Sequence, residues 1–267
     1  MDHRISEPLD RDIIINGLGR SIFSKNFIFH PIINSTNAHV KELALKGAPE
    51  GTLVLAEEQT GGRGRMDRKW LSAGQENILF TILLRPPLDA DGIFLLTMIL
   101  ALSTIDAIKE TTGLDVLIKW PNDLYINNKK TGGILTEFSL KHRIAEYVIL
   151  GLGLNANWMP GESDGILYPA TSILAESGIR ISRNELLIDI LKRFEMYYKK
   201  ALSGKTDELH SRWNRLSLVI GKNVEIIYQD ERITGMVIDI ERNGTLILKD
   251  KMGGEMRILS GDVSLRF

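Results

Sequence analysis

The sequence predicts an α+β protein, with strands and helices interleaved over residues 1–218 and a small β module over residues 219–267. Three observations carry this prediction. Apolar runs of strand length share the first part with segments of helical period. Two of those runs are separated by Asn127 and Asn128 and read as a hairpin, because asparagine tolerates positive φ. From Gly221 onward, short β-rich runs follow one another between turn signals, the texture of a small barrel or sandwich.

Residues 10–20 read as one short helix and 27–33 as a strand. Residues 35–46 read as a helix: Ser35 or Thr36 can cap it, and Val40, Leu43 and Ala44 fall on one face. After a turn at 47–51, residues 52–56 and 78–84 are strands, the second ended by Pro86 and Pro87. A long helix follows over about 92–112, closed by Gly113. Residues 116–120 form a short strand ended by Pro121. The hairpin then pairs 123–126 with 130–138, and 147–154 is a continuous apolar strand. A loop with Pro160, Gly161, Gly165 and Pro169 leads to Ser182 and Glu185. They form a capping box for the helix carrying Leu186, Leu187, Ile190, Leu191 and Phe194. A second helix covers 206–216. In the β module the runs 223–228, 232–240, 244–249 and 255–259 place the domain boundary near Leu218.

Composition narrows the function. A hydrophobic content of 43% and a charged content of 25% are ordinary for a globular chain, and 267 residues suit one sizeable domain plus a small one. A formal net charge of −1 gives no general pull toward nucleic acid or anionic membrane. With no cysteine, disulfides, zinc–thiolate sites and thiol catalysis are excluded, and a reducing compartment is compatible. The start, MDHRISEPLDRDIIING, has no apolar core of signal-peptide type. The apolar run 93–102 is interrupted by Thr97 and falls short of the ~20 residues that span a bilayer.

Four segments can carry chemistry. Residues 59–70, QTGGRGRMDRKW, pack glycines among arginines between two apolar strands. Glycine lets main-chain N–H groups approach a ligand, the arginines bring planar donors suited to carboxylate and phosphate oxygens, and Trp70 offers a face for a base. A nucleotide or another anionic ligand fits this loop; a solvated basic loop is the alternative. Ser35, Thr36 and Asn37 at a helix start either cap it or hold a ligand's polar atoms. Lys119, Trp120, Pro121, Asn122 and Asp123 gather a cation, an amide and a carboxylate at a strand end, where polar residues are also ordinary. Lys130 and Thr131 precede Gly132 and Gly133, and glycine inside a strand often marks close approach of a ligand or another backbone.

Other patterns lead nowhere. Residues 151–156, GLGLNA, fit a dinucleotide fingerprint, but Trp158, Met159, Pro160 and Gly161 stand where its helix should begin. There is no P-loop. His3, His30, His39, His142 and His210 are scattered, with no pair at metal-ligand spacing.

Taken in order, the segments resemble the biotin–protein ligases, or holocarboxylase synthetases. That family's pattern runs STN, GRGR-x-x-R-x-W, KWPND, K-x-x-G-I-L and a GxGxN strand end, found here at 35–37, 62–70, 119–123, 130–135 and 151–155. With the β module the resemblance covers about 27–267. One departure is Asp67, where many members carry glycine; aspartate tolerates left-handed backbone but sets a carboxylate near the expected phosphates.

The resemblance implies a mixed or antiparallel sheet with flanking helices, a class II synthetase-like ligase core, and an SH3-like C-terminal barrel. It implies that biotin, ATP and Mg2+ give biotinyl-5′-AMP and pyrophosphate, after which a lysine of a biotin carboxyl carrier protein or domain takes the acyl group. By the same resemblance Ser35, Thr36, Asn37, Gln59, Gly62, Arg63, Gly64, Arg65, Gly132 and Gly133 surround biotin, and Lys130 meets its carboxylate. Lys119 and Arg65 neutralise charge at the reacting phosphate, with Asp123 beside them. Arg68 lies toward the pyrophosphate, and Trp70, Asn122, Asp123 and Asn155 lie around nucleotide and magnesium. No nucleic-acid or membrane partner is implied, the location is cytoplasmic, and monomer and homodimer both stay open.

Three rivals are weaker. A lipoate ligase or octanoyltransferase of the related fold needs a different glycine-rich loop or a cysteine nucleophile. A ligase that also represses needs an N-terminal helix-turn-helix domain, for which the 34 residues before Ser35 leave no room. A binding module that has lost catalysis is argued against by Lys119.

Overall fold

The computed structural model describes residues 7–66, 68–71, 74–159, 169–228, 231–259 and 261–265. Asp67, Pro160, Gly161 and Gly165 lie outside them. The chain opens with α1 (Arg11–Leu18), whose first amides donate to the Asp10 carboxylate. Then come β1 (Phe27–Ile33), α2 (Thr36–Leu45), β2 (Leu53–Gln59), β3 (Asn77–Leu84) and α3 (Phe94–Thr112). Four strands follow, β4 (Leu117–Lys119), β5 (Asp123–Ile126), β6 (Lys129–Lys141) and β7 (Ile144–Asn155).

These seven strands form one sheet in the order β1-β2-β3-β7-β6-β5-β4. Only β1 and β2 run parallel, and α2 is their crossover; every other neighbouring pair is antiparallel. The sheet is therefore mixed, as expected. β3 reads NILFTILL because it is central and covered on both sides: all eight residues are buried. Its Ile78, Phe80, Ile82 and Leu84 face the main core, which includes α3 and α5 (Arg183–Leu202). Leu83 faces the opposite side, where Val40 and Ala44 of α2 pack with Val54, Tyr147 and Ile149.

Local chemistry explains the boundaries. Ser35 Oγ accepts from the Ala38 amide, and Ser182 Oγ accepts from the Glu185 amide, so both predicted caps start their helices. Asn127 and Asn128 take φ of 49° and 61° and turn β5 into β6. The second hairpin, β6 to β7, is longer than the sequence suggests because His142 and Arg143, at φ 52° and 71°, make its turn.

The sequence did not reveal α4 (Ile173–Ser177), too short for a periodicity. It matters nevertheless, because Glu176 accepts from Thr171, Asn127 and Lys129 and so ties α4 to the β5–β6 turn. Burial alone would raise the Glu176 carboxyl, but those three donors hold it down at about 2.

After α6 (Asp207–Arg215), the strands β8 (Asn223–Tyr228), β9 (Glu231–Ile240), β10 (Leu246–Lys249), β11 (Glu255–Ile258) and β12 (Asp262–Leu265) follow. They build a five-stranded antiparallel sheet in the order β11-β10-β9-β8-β12; β12 went unseen in the sequence. This sheet is joined to the larger unit at β4. The Ile118 amide donates to Leu216 O and the Leu218 amide to Ile118 O, and Trp120 Nε1 donates to Gly244 O at 2.8 Å. The hydrophobic core runs without a break from Ile118 and Trp120 to Val224, Ile226 and Val237.

Candidate functional site

Strand register assembles the site. In antiparallel strands, directly opposed residues share a face. Leu79 opposes Gly153, Gly153 opposes Gly133, Gly133 opposes Asp123, and Asp123 opposes Lys119. One row thus crosses five strands on the α2 side of the sheet. Two glycines in its middle lower the sheet surface into a trough, which the Trp70 indole enters over Gly153 and the Asp123 and Lys130 side chains border at Gly133.

The 59–70 loop folds over this trough. Its arms are bridged at Arg63 and Lys69, the Trp70 amide donates to Gly62 O, and the Gly64 amide donates to Arg68 O. Trp70 lies against β7: a Cβ on Gly153 would stand 2.5 Å from Trp70 Cε2, so only glycine admits the indole. Lys130 Nζ sits 5.7 Å from the Trp70 ring centroid and 2.6 Å from Asp123 Oδ1. Main-chain bonds hold Lys130 on both sides, its amide to Pro169 O and its carbonyl from Thr171.

The start of α2 makes the second wall. Thr36 donates through its amide and its hydroxyl to Gln59 Oε1, at 2.8 and 3.1 Å. Thr81 Oγ1 bonds Thr36 Oγ1 and Asn37 Oδ1, both at 2.8 Å. Asn37 lies flat on β7, since a Cβ on Gly151 would come within 2.0 Å of its Oδ1. Ser35, Thr36 and Asn37 are all buried. This is a preformed, polar wall next to an apolar one, and the polar side can orient a small ligand with an amide-like head.

The charged end is strongly positive. Lys119 is pushed down by burial, pulled up by Asp123, and pushed down again by Lys130 and Arg68. Arg65 likewise goes down through burial, with Asp123 opposing and Arg68 adding to the fall. Three cations, Lys119, Arg65 and Lys130, therefore share one carboxylate, with Arg68 adding repulsion, in a place partly shielded from water. Such a cluster favours an incoming anion, which relieves both the repulsion and the lost hydration.

The other predicted residues take defined places. Asn122 Nδ2 donates to Ile134 O at 2.6 Å and Asn155 Nδ2 to Thr171 O at 2.9 Å, so both amides also brace the strands that shape the trough. Gly132 packs its Cα side toward Gly153 O and Leu154. Arg63 turns away from the cation cluster and pairs with Glu137. Residues 151–155 of GLGLNA are the last five of β7, with antiparallel neighbours, which excludes a dinucleotide turn there. His30 and His39, nine positions apart, do meet edge to face with centroids 5.0 Å apart, one on β1 and one on α2. Among the described residues, no group of three or more His, Cys, Asp or Glu could hold a metal.

Sequence reasoning missed Glu137, Thr81 and Tyr125. Thr81 had a signal, being a lone hydroxyl in the apolar run NILFTILL. Tyr125 sets its ring 5.4 Å from Lys119 Nζ, a contact that only the β4–β5 pairing creates.

Comparison with known proteins decides the family. The model of the biotin/lipoate A/B protein ligase family matches residues 29–155, and that of the biotin protein ligase C-terminal domain matches residues 219–266. The chain is 34% identical over 250 residues to the bifunctional ligase/repressor BirA of Bacillus subtilis, covering 93% of this chain and 77% of that one. The chain belongs to the biotin protein ligase family. This ligase is also 30% identical over 237 residues to the biotin–[acetyl-CoA-carboxylase] ligase of Mycobacterium tuberculosis, over 86% of this chain and 85% of that one. A solved Aquifex aeolicus biotin protein ligase, in complex with biotin and ATP, has 31% identity and a TM-score of 0.75 to the ligase described here. It covers 91% of this chain and 99% of its own.

Proposed function

We propose that this ligase joins biotin to ATP and then to a lysine of a biotin carboxyl carrier protein or domain. The observation that carries the reading is the row through Gly153, Gly133, Asp123 and Lys119, roofed by the cationic loop. An uncharged ring system fits the trough beside Thr36, Asn37 and Gln59, with Ser35, Gly132, Gly133 and the backbone of Gly62, Arg63, Gly64 and Arg65 around it. Its carboxylate then points at Lys130.

A biotin carboxylate oxygen attacks the α-phosphorus of ATP, the bond to the bridging oxygen breaks, and pyrophosphate leaves. Two anions must meet in line, so the chain's contribution is positioning and charge neutralisation. Lys119 and Arg65 neutralise the α-phosphate, and Arg68 takes the pyrophosphate side. Trp70, Asn122, Asp123 and Asn155 border the nucleotide. Magnesium would arrive with ATP, where the carboxylate of Asp123 would help to hold it and the ion would supply charge neutralisation at the phosphates. In the second half, the neutral amine of the carrier lysine attacks the mixed anhydride, an amide forms and AMP departs.

The related lipoate ligases are disfavoured by the C-terminal module, whose family model is that of the biotin ligases. A cytoplasmic location fits a chain without cysteine. Among the described residues, no helix is long and apolar enough to cross a membrane.

Loop closure is the step most open to test. Among the described residues, three main-chain bonds hold the loop's own arms, and its body is almost wholly polar, so ligand must provide the remaining ordering. Trypsin should cut quickly after Arg63, Arg65, Arg68 or Lys69 in the free protein and slowly with biotin plus ATP. Equal protection in both states would mean a preformed roof, with no gating role.

A further inference from the structure

Glu137 anchors the loop through Arg63 and has no part in the reaction described above. It lies on β6 opposite Ile149, two positions beyond Leu135 on the face that carries the trough. Its Oε2 accepts from Asn37 Nδ2 at 3.0 Å and from Arg63 Nη2 at 3.0 Å, and Oε1 accepts from Arg63 Nη2 at 3.3 Å. The carboxylate is thus shared between the start of α2 and the loop, the two walls of the proposed biotin site. Its side chain is 24% exposed and that of Arg63 46%.

We propose that Glu137 is a positioning residue that latches the roof through Arg63 and so retains the reactive adenylate; this rests on the ligase reading above. Arg63 is the right handle because its backbone bridges Lys69 across the loop, so fixing one arm fixes the other. The loop's cations repel one another, and the sheet divides them. Asp123 attracts Arg65 and Lys119 while Arg68 repels both, and Glu137 holds Arg63 apart from them in an ion pair of its own. Among the described residues, the ion pair of Arg63 is with Glu137.

Glu137→Gln is the conservative probe, since its one remaining oxygen can still accept from Asn37 while the charge and one acceptor facing Arg63 are lost. The experiment loads wild type, E137Q, R63A and the double variant with labelled biotin, ATP and magnesium. It then follows pyrophosphate release in one turnover and the escape of labelled biotinyl-AMP into an unlabelled chase. Escape should quicken about fivefold in each single variant, the reach of a partly exposed ion pair, and no further in the double variant. Pyrophosphate release by E137Q should stay within about twofold of wild type, a split that a merely structural role for Glu137 would not produce. Equal escape from all four, or single effects that multiply to about 25-fold, would overturn the latch alone. Failure of the wild type to release pyrophosphate would overturn the ligase reading and the latch with it.

Discussion

Lys119→Ala slows adenylate formation by about 10²- to 10³-fold and leaves the fold intact. The expected size is that of one preorganised electrostatic contact at a centre where charge develops. Lys119 qualifies by position: it ends β4, opposes Asp123, and has its ammonium lowered by burial and by Lys130 and Arg68. A cation held in that state gains most when a phosphate arrives. The fold should survive because the strand pairs through its backbone and removal relieves a desolvated charge. Pyrophosphate release with biotin and ATP is the measurement. A rate near wild type would remove Lys119 from the mechanism.

Lys130→Ala weakens biotin binding more than ATP binding, by about 10- to 150-fold, the equivalent of a charge-assisted hydrogen bond of roughly 1.5–3 kcal/mol. Lys130 stands between Trp70 and Asp123, at the mouth of the glycine trough. Asp123 occupies it at 2.6 Å and offers the geometry a ligand carboxylate would take over. With Lys130 gone, Lys119 and Arg65 still balance Asp123, so the charged end of the site persists. Calorimetry with biotin alone reads the effect. Unchanged biotin affinity with weakened ATP binding would exchange the roles of the two lysines.

Most elements were legible because their causes are local. The Ser35 and Ser182 caps, the left-handed Gly113 that ends α3, and the two asparagines between β5 and β6 act within a few residues. The wholly buried β3 announces itself through an unbroken apolar run. The candidate site was legible as segments and not as geometry. That Lys119 shares a row with Gly153 follows from strand order, with β7 inserted between β3 and β6, and no local pattern encodes it. Glu137 and Arg63 are 74 positions apart, and Trp120 and Gly244 are 124 apart. Both contacts exist only once the sheets are assembled. Likewise, counting along the chain separates His30 from His39, and folding a strand against a helix brings their rings together.

One measurement reaches the centre of this account. The purified chain is incubated with biotin, ATP and magnesium, and the bound small molecules are identified by mass spectrometry under conditions that keep complexes intact. Biotinyl-5′-AMP held by the protein, with pyrophosphate in solution and neither formed when ATP is left out, is the predicted result. Biotin and ATP recovered unchanged from a folded, ligand-loaded protein would contradict it.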